Sequence, residues 1–257
     1  MCHKNFIATV LFSVIFSPLT AMEQPVDKQL DPLGDGKSSL ELLRFSGSDL
    51  DIVNAARMSY GKQSKAFSEI DANILNTLIT EGHETPFEQT FLQFHVQLPI
   101  FVARQWMRHR VGVSYNEKSA RYTQMKQEFY IPSDWRINNP DYKAKSDDCH
   151  VTMDAETKAI YEKALTACSE GYEELLKRKV PRELARGVLP VSLYTEFVFG
   201  CNMRSLFHFA QLRADKHAQW EIQQYAKGMM KLAWNHFPRS VELWCKAHNV
   251  TWLEEQK

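Results

Sequence analysis

The sequence predicts one mixed α+β domain, because of its length and of the order in which helix and strand patterns follow each other. A chain of 257 residues is within the size that one hydrophobic core can fill. Apolar and polar residues alternate over positions 92–98, which is the period-two pattern of a half-buried strand. Helix patterns stand on both sides of it without a regular strand–helix–strand rhythm. We therefore expect an α+β (loosely α/β) fold.

Local signals place the other elements. Residues 39–45 are typical of a first strand, and Ser48 stands at an N-cap with Asp51 at the capping-box position. Pro99 is predicted to open a helix that runs to about Arg110 and is followed by a loop through Gly112. The remaining patterns predict helices over residues 69–80, 154–177, from Pro181 to near Pro190, 205–212 and 216–236, the last one ended by Pro238, and a strand over residues 191–199.

Charge and cysteine content exclude several classes of protein. Lys plus Arg and Asp plus Glu both number 31, so no overall basic field predicts DNA as a partner. The five cysteines are widely spread and form no C-x-x-C pair, which is typical of a reduced, intracellular chain rather than of a disulfide framework or zinc site. They are Cys2, Cys149, Cys168, Cys201 and Cys245.

The N-terminus, unlike the cysteines, is typical of a secreted protein. Lys4 precedes an apolar stretch at residues 6–16, as in a secretory signal, but the stretch is too short to span a membrane. The alternative is that translation starts at Met22 and residues 1–21 are a gene-start artefact. We favour the artefact, and with it a cytoplasmic protein without a membrane partner. Residues 1–38 are then a leader or mis-assigned start plus a flexible lead-in, and residues 39–257 form the domain.

The densest group of polar side chains follows the helix that Pro99 opens. Forked guanidinium donors and hydroxyls are groups that bind phosphate or a planar pyrimidine. Alternatively, the basic triplet at residues 108–110 only complements the dipole at a helix C-terminus, which would leave the polar residues after it unexplained. The group comprises Arg108, His109, Arg110, Ser114, Asn116, Glu117, Ser119 and Arg121.

These residues resemble the signature of the flavin-dependent thymidylate synthases. In that family a basic triplet is followed by seven or eight residues and a serine, and eight residues separate Arg110 from Ser119. G-H-E-T-P-F-E at residues 82–88 and the stretch 182–224 are similar to two further family elements, in the same order. The resemblance covers about residues 40–237 and leaves out 1–38 and the insertion-like 138–154. It implies the fold of the thymidylate synthase complementing proteins, with a central, mainly antiparallel sheet flanked by long helices.

The resemblance also implies roles for individual residues. Arg213 and Ser119 are the implied catalytic residues, with Arg213 at the pyrimidine edge, and His83 and Glu88 match polar positions near flavin and folate. Flavin-contacting positions match Thr85, Arg108, His109, Arg110, Glu117, Asn202, Met203, Arg204 and His208, the last of which is often Asn in relatives. Nucleotide-contacting positions match Gln105, Trp106, Met107, Arg108, Glu117, Lys118, Ser119, Ala120, Arg121, Arg186 and Arg213.

Several assignments have plainer alternatives. Arg186 lies in an apolar segment, where a guanidinium needs an anion or good partners, and a structural salt bridge would satisfy it equally. Arg213 could be a dipole partner at the end of its helix. Trp106 is more typical of a core residue than of a flavin-stacking one. His83 and Glu84 lack further ligands at metal-binding spacing, so no metal is expected.

The resemblance implies reductive methylation of dUMP to dTMP. FAD is the implied cofactor, NADPH and 5,10-methylenetetrahydrofolate are the implied co-substrates, and a homotetramer shares its active sites between chains. No cysteine is placed as a nucleophile, which agrees with a family in which reduced flavin delivers hydride and a cation activates the ring. The alternative is a nucleotide or RNA binder that has lost the chemistry.

Overall fold

The computed structural model describes residues 29–138 and 146–252. Eight α-helices and six strands lie in these ranges, together with short 3₁₀ turns. They follow in the order β1 (Ser39–Ser46), α1 (Asp49–Arg57), α2 (Glu69–Thr80), β2 (Phe91–Pro99), α3 (Ile100–Trp106), β3 (Val113–Glu117), β4 (Asp134–Asn138), β5 (Ser146–Thr152), α4 (Ala155–Lys177), α5 (Arg182–Ala185), β6 (Tyr194–Cys201), α6 (Met203–Arg213), α7 (Trp220–Trp234) and α8 (Pro238–Ala247).

A four-stranded sheet forms the centre of the molecule, with strand order β1-β2-β6-β3 and antiparallel pairing throughout. The alternation in β2 explains its position, because Leu92, Phe94, Val96 and Leu98 are all fully buried while the residues between them face the other side. The predicted antiparallel sheet with flanking helices is confirmed.

Helices cover the apolar face of the sheet around Trp106. This side chain is fully buried, and its ring packs edge-on against Phe197 and Phe199 of β6 and contacts Phe209 of α6 and Tyr225 of α7. Paired aromatic rings of this kind stabilise a core beyond the area that they bury. The cluster therefore fixes the end of α3, and with it the start of the segment that carries the basic triplet.

A buried carboxylate joins α1 to α2. Asp71 is inaccessible to solvent, and its Oδ1 accepts hydrogen bonds from Arg57 Nη2 at 2.6 Å and Ser64 Oγ at 2.9 Å. Ser68 donates to Oδ2 through both its backbone N–H and its hydroxyl. Burial raises the pKa of Asp71, but the bonds from Ser68, Arg57 and Ser64 outweigh it and hold the pKa at about 2. Asp71 is therefore charged and satisfied.

Most predicted helices are confirmed. Residues 69–80 are helical as predicted, Asp154 caps α4, and Ser48 caps α1 by accepting from the Asp51 backbone N–H. The helix predicted over residues 216–236 is α7, which begins only at Trp220. The residues before it form a separate turn, in which Asp215 accepts hydrogen bonds from the backbone and ring of His217.

Two predictions were wrong in detail. The helix opened by Pro99 ends at Trp106 rather than near Arg110, although the predicted loop through Gly112 is confirmed and leads into β3 at Val113. Pro238 opens α8 at a position where its missing N–H costs nothing, instead of only ending the helix before it.

The boundary of the predicted lead-in also needs correction. Residues 29–38 lie against the domain: Leu30 pairs with Leu40 through two backbone hydrogen bonds, and the Tyr194 hydroxyl donates to Asp35. The predicted signal-like segment at residues 1–21 lies outside the described residues. No helix within the described ranges has the length and apolar character needed to cross a bilayer.

Candidate active site

The basic triplet lies in a tight connection between α3 and β3. The backbone N–H groups of Met107 and His109 donate to Ala103 O and Trp106 O, which closes the last turn of the helix. The connection then rests on the start of α6, where the Ser205 hydroxyl donates to Val111 O at 3.0 Å. Asn202 caps α6 by accepting from the Ser205 backbone N–H at 2.9 Å. The triplet is thus held between two helix ends.

Arg213 meets His109 at the centre of this arrangement. Arg213 Nε donates to His109 Nε2 at 2.9 Å, and His109 is buried whereas Arg213 is partly exposed. Burial first, and then the positive charges of Arg213 and His208, lower the pKa of His109 from 6.5 to about 4. Burial and the neighbouring Arg108 lower the pKa of Arg213. A neutral imidazole therefore accepts from a guanidinium that keeps its charge.

Arg213 and the two arginines of the basic triplet lack acidic partners. Within the described ranges, no carboxylate lies within 4.0 Å of Arg108, Arg110 or Arg213, nor of Arg186 farther along the chain. The proposed structural salt bridge of Arg186 is therefore absent from this part of the chain. Cations without a partner repel each other at short range, so the arrangement favours an anionic ligand.

A cleft of about 280 Å³ opens at the far end of β3, close to the lower range of small-molecule pockets. Ile100, Leu189 and Leu193 form its apolar wall, and all residues of its polar lining except Thr195 are ones that the family resemblance singles out. This polar lining comprises Glu117, Lys118, Ser119, Arg186 and Thr195.

Hydrogen bonds fix the polar lining of the cleft. The Thr195 hydroxyl donates to Glu117 Oε1 at 2.7 Å, and Lys118 Nζ contacts Glu196 Oε1 at 2.7 Å. Ser119 Oγ accepts weakly from the Arg121 backbone N–H at 3.3 Å, which leaves the hydroxyl proton without a partner in the described chain. Ser119 can therefore still donate to a ligand.

A second cleft, of about 190 Å³, lies beside the start of α6. His208 and Arg204 line it together with Glu84. Arg204 is not a free cation, because its Nη2 lies 2.7 Å from Glu84 Oε2 and its Nη1 contacts Glu88. The hydrogen bond that Arg204 donates to Glu88 and the charge of Glu84 raise the pKa of Arg204.

Strand β3 runs from the region of the α6 N-terminus to the first cleft. Val113 pairs with Cys201 at the α6 end, and Glu117 pairs with Phe197 at the other. Four residue steps along an antiparallel strand span roughly 14 Å. One chain thus presents two groups of predicted site residues that are separated along a strand.

Some predicted site residues are not brought to a surface. Trp106 and Met203 are fully buried, so the Trp106 side chain belongs to the core, and a nucleotide contact at this position stays a prediction. Gln105 contacts Gln219, and Arg121 Nε lies 3.6 Å from Glu183 at an exposed position. His83, Thr85 and Ala120 lie on or near the surface, as does Met107.

The sequence did not predict the residues that hold Glu117, Lys118 and His109 in place. Thr195 and Glu196 fix Glu117 and Lys118 from β6, and Tyr115 donates to His109 O at 2.8 Å. Only the pairing register of β3 with β6 could have predicted the contacts of Thr195 and Glu196. Within residues 29–138 and 146–252, no group of three or more His, Cys, Asp or Glu side chains is placed to hold a metal ion.

Comparison with known proteins identifies the family. The family model described as "Thymidylate synthase complementing protein" matches residues 41–239, which is more than half of the chain. The chain belongs to this family. A thymidylate synthase complementing protein fold therefore accounts for the antiparallel sheet, the α3–β3 connection and the start of α6.

Relatives agree with this assignment. The chain is 46% identical over 213 residues to the flavin-dependent thymidylate synthase of Thermosipho africanus, covering 82% of this chain and 92% of that protein. It is 42% identical over 202 residues to that of Thermus thermophilus, covering 79% of this chain and 73% of that protein. The structure of a UMP/dUMP methylase from Streptomyces cacaoi bound with 5-Br dUMP superposes with a TM-score of 0.73 at 32% identity, covering 81% of this chain and 95% of that one.

Proposed function

We propose that this enzyme converts dUMP to dTMP, with 5,10-methylenetetrahydrofolate as one-carbon donor and FAD reduced by NADPH. The observation that carries the proposal is the cluster of arginines without acidic partners around the Arg213–His109 pair. The relatives are named flavin-dependent thymidylate synthases, and the structural neighbour is bound with 5-Br dUMP. These names support the same substrate class here.

The cleft at the end of β3 fits a pyrimidine nucleotide. Its apolar wall suits the faces of a base, and Arg186 and Ser119 offer donors for a phosphate or sugar. Arg186 is exposed, carries no partner in the described chain and stands beside that wall. We infer that dUMP binds here, with Glu117 and Lys118 held in place by Thr195 and Glu196.

The residues around α6 fit a flavin nucleotide. FAD carries a pyrophosphate, and Arg108 and Arg110 are exposed cations in the connection that contacts the start of α6 through Val111; guanidinium donors suit phosphate oxygens. Arg108, Arg110 and His208 would hold it, with Asn202 and Arg204 shaping the start of the helix. When bound, the flavin supplies the reducing equivalents of the methylation.

Arg213 is positioned to activate the pyrimidine. Its guanidinium keeps its charge, since its described partner is the uncharged ring of His109. A fixed cation at the edge of the ring stabilises the negative charge that develops in the transition state. We infer that this electrostatic activation replaces attack by a cysteine thiolate.

We further infer that neighbouring chains complete each site. The nucleotide cleft lies at the Glu117 end of β3, the second cleft lies beside the start of α6 near the other end of the strand, and most of the unpaired cations are exposed. A homotetramer that places one chain's cleft beside another chain's α6 would bring the two ligands together.

Two measurements on the purified full chain test the function. We expect bound flavin in the absorbance spectrum, and dTMP formation from dUMP when methylenetetrahydrofolate and NADPH are supplied. A protein that binds dUMP but neither holds flavin nor forms dTMP would instead be the binding module that the sequence left open.

A further inference from the structure

We propose that His109 is the positioning residue of Arg213: its imidazole accepts one guanidinium N–H and thereby directs the remaining donors of Arg213 toward the nucleotide. The proposal rests on the proposed function, since it assigns a task to the residue that holds Arg213, the cation proposed to activate the pyrimidine. It differs from the role that the family resemblance implies for His109, which is contact with the flavin.

Geometry limits what His109 can do. The side chain is buried, and Nε2 is the atom that meets Arg213 Nε at 2.9 Å. The ring packs 4.8 Å from the Phe209 ring and 5.7 Å from the His208 ring, measured between centroids. Enclosed in this way, the imidazole is better placed to hold a neighbouring side chain than to reach a large planar cofactor.

The backbone of His109 is equally fixed. Its N–H donates to Trp106 O at 3.0 Å, and its carbonyl accepts from the Tyr115 hydroxyl at 2.8 Å. Trp106 belongs to the aromatic core, and Tyr115 lies on β3. The acceptor for Arg213 is therefore anchored in two rigid elements, as a positioned catalytic group requires.

A neutral acceptor suits this task better than a carboxylate. A guanidinium has five N–H donors, and the bond to His109 uses the one on Nε, which leaves both Nη groups for the substrate. A carboxylate would engage two donors at once and neutralise the charge. The groups that face His109 are Arg213, His208 and Phe209, with Arg108 beside Arg213; none is acidic, and the low pKa of His109 keeps it uncharged at neutral pH.

A double-mutant cycle on the flavin-loaded enzyme tests the proposal. The Kd of dUMP is measured by equilibrium dialysis for the wild type, His109→Leu, Arg213→Ala and the double variant. Loss of a hydrogen bond to a charged group predicts a rise in Kd of about 10- to 100-fold for His109→Leu. In the Arg213→Ala background the same change should have no further effect. An equal loss in both backgrounds would overturn the proposal.

Two amide variants separate positioning from packing. Glutamine places its amide near the position of Nε2, whereas asparagine reaches only as far as Nδ1. We expect His109→Gln to bind dUMP within about threefold of wild type and His109→Asn to behave like His109→Leu. Equal binding by the two amide variants contradicts the inference, and this pair decides the question if the leucine variant does not fold.

The function and the inference fail in different ways. If wild-type enzyme binds dUMP but forms no dTMP, the proposed function is wrong while the cycle still reports on Arg213. If dTMP forms but His109→Leu binds dUMP as wild type does, only the inference is wrong. The flavin content of each variant serves as the control, and loss of flavin from His109→Gln with normal dUMP binding would restore the cofactor role instead.

Discussion

Gly112 and Ser205 approach each other so closely that a Cβ atom on Gly112 would lie 2.5 Å from the Ser205 hydroxyl oxygen. Gly112 also has a φ of +66°, in the left-handed region where side chains are strained. The contact is where the α3–β3 connection meets the start of α6. Glycine at this position therefore lets the basic triplet and the second cleft share one rigid support.

Replacement of Gly112 by alanine should be costly. We expect Gly112→Ala to lower the free energy of unfolding by about 2 kcal/mol or more, since strain in φ adds to the close contact. Gly61→Ala is the matched control, because Gly61 has a φ of +63° but open space around its Cβ position, and it should cost only about 1 kcal/mol. Urea denaturation measures both, and equal losses would rule out the contact with Ser205.

Arg213→Ala should keep the flavin and abolish dTMP formation. The charge binds dUMP and is needed most in the transition state, so its loss should cost about 3–4 kcal/mol there, or roughly 10²- to 10³-fold in rate, besides weakening dUMP binding. Flavin absorbance and a dTMP assay give the two readouts. Arg178→Ala, at an exposed i,i+4 pair with Glu174, is the control for loss of an arginine. Near-normal turnover in Arg213→Ala would remove this residue from the mechanism.

Ser119→Ala should slow the nucleotide half-reaction without abolishing it. The hydroxyl accepts only one long bond from the Arg121 N–H, and its proton is available to the ligand, so we expect dUMP affinity to fall by about 1 kcal/mol. Steady-state kinetics as a function of dUMP concentration checks this. A variant with wild-type kinetics would mean that the hydroxyl only stabilises the turn.

Methylation should require no cysteine. Cys201 is adjacent to Asn202 in the sequence, but it is buried at the end of β6 and burial raises the pKa of its thiol. The nearby Arg204 is held by Glu84 and Glu88. A thiol nucleophile needs the opposite environment. A variant with all five cysteines replaced by Ala or Ser should form dTMP. Inactivity of a folded, flavin-loaded variant, with activity returned by Cys201 alone, would establish thiolate chemistry.

Stability should fall in weak acid through His109. Its pKa is about 4 when folded and near 6.5 when unfolded, so the unfolded chain binds more protons between these values. The stability contributed by neutral His109 is complete above pH 6.5 and is lost as the pH falls through 4. Between pH 7 and 5 the free energy of unfolding should decrease by about 2 kcal/mol through this residue. The His109→Gln variant should lack this part of the pH dependence of the free energy of unfolding. An unchanged pH dependence in the variant would contradict the prediction.

Strand and helix positions could be predicted where a local rule decides them. The alternation in β2 and the caps at Ser48 and Asp154 each depend on neighbouring residues only. The end of α3 could not be predicted in this way, because Arg108 and Arg110 are good helix formers. Helix α3 ends at Trp106, whose ring is locked in the aromatic core, and Gly112 leads the chain into β3. Packing between residues that are far apart in the sequence cannot be predicted from a local sequence pattern.

The identities of the site residues could be predicted, but their environments could not. The basic triplet, Ser119 and Arg213 stand out by residue type and by family resemblance. That His109 is buried and bonded to Arg213, across 104 positions of chain, follows only from how α6 packs against the α3–β3 connection. The core position of the Trp106 side chain agrees with its residue type, whereas its adjacency to a motif does not tell which way it points.

An ion pair joins the hairpin of β4 and β5 to helix α7. Arg136 Nη2 in β4 lies 2.7 Å from Oε1 of Glu221, which is almost fully buried in α7 and also accepts from the Tyr130 hydroxyl. Deleting the hairpin to obtain a smaller protein would leave this buried carboxylate without its Arg136 partner, which would lower the free energy of unfolding by several kcal/mol. A shortened version should therefore carry Glu221→Gln or an apolar residue from the start, so that the deletion and the compensating change are engineered as one unit.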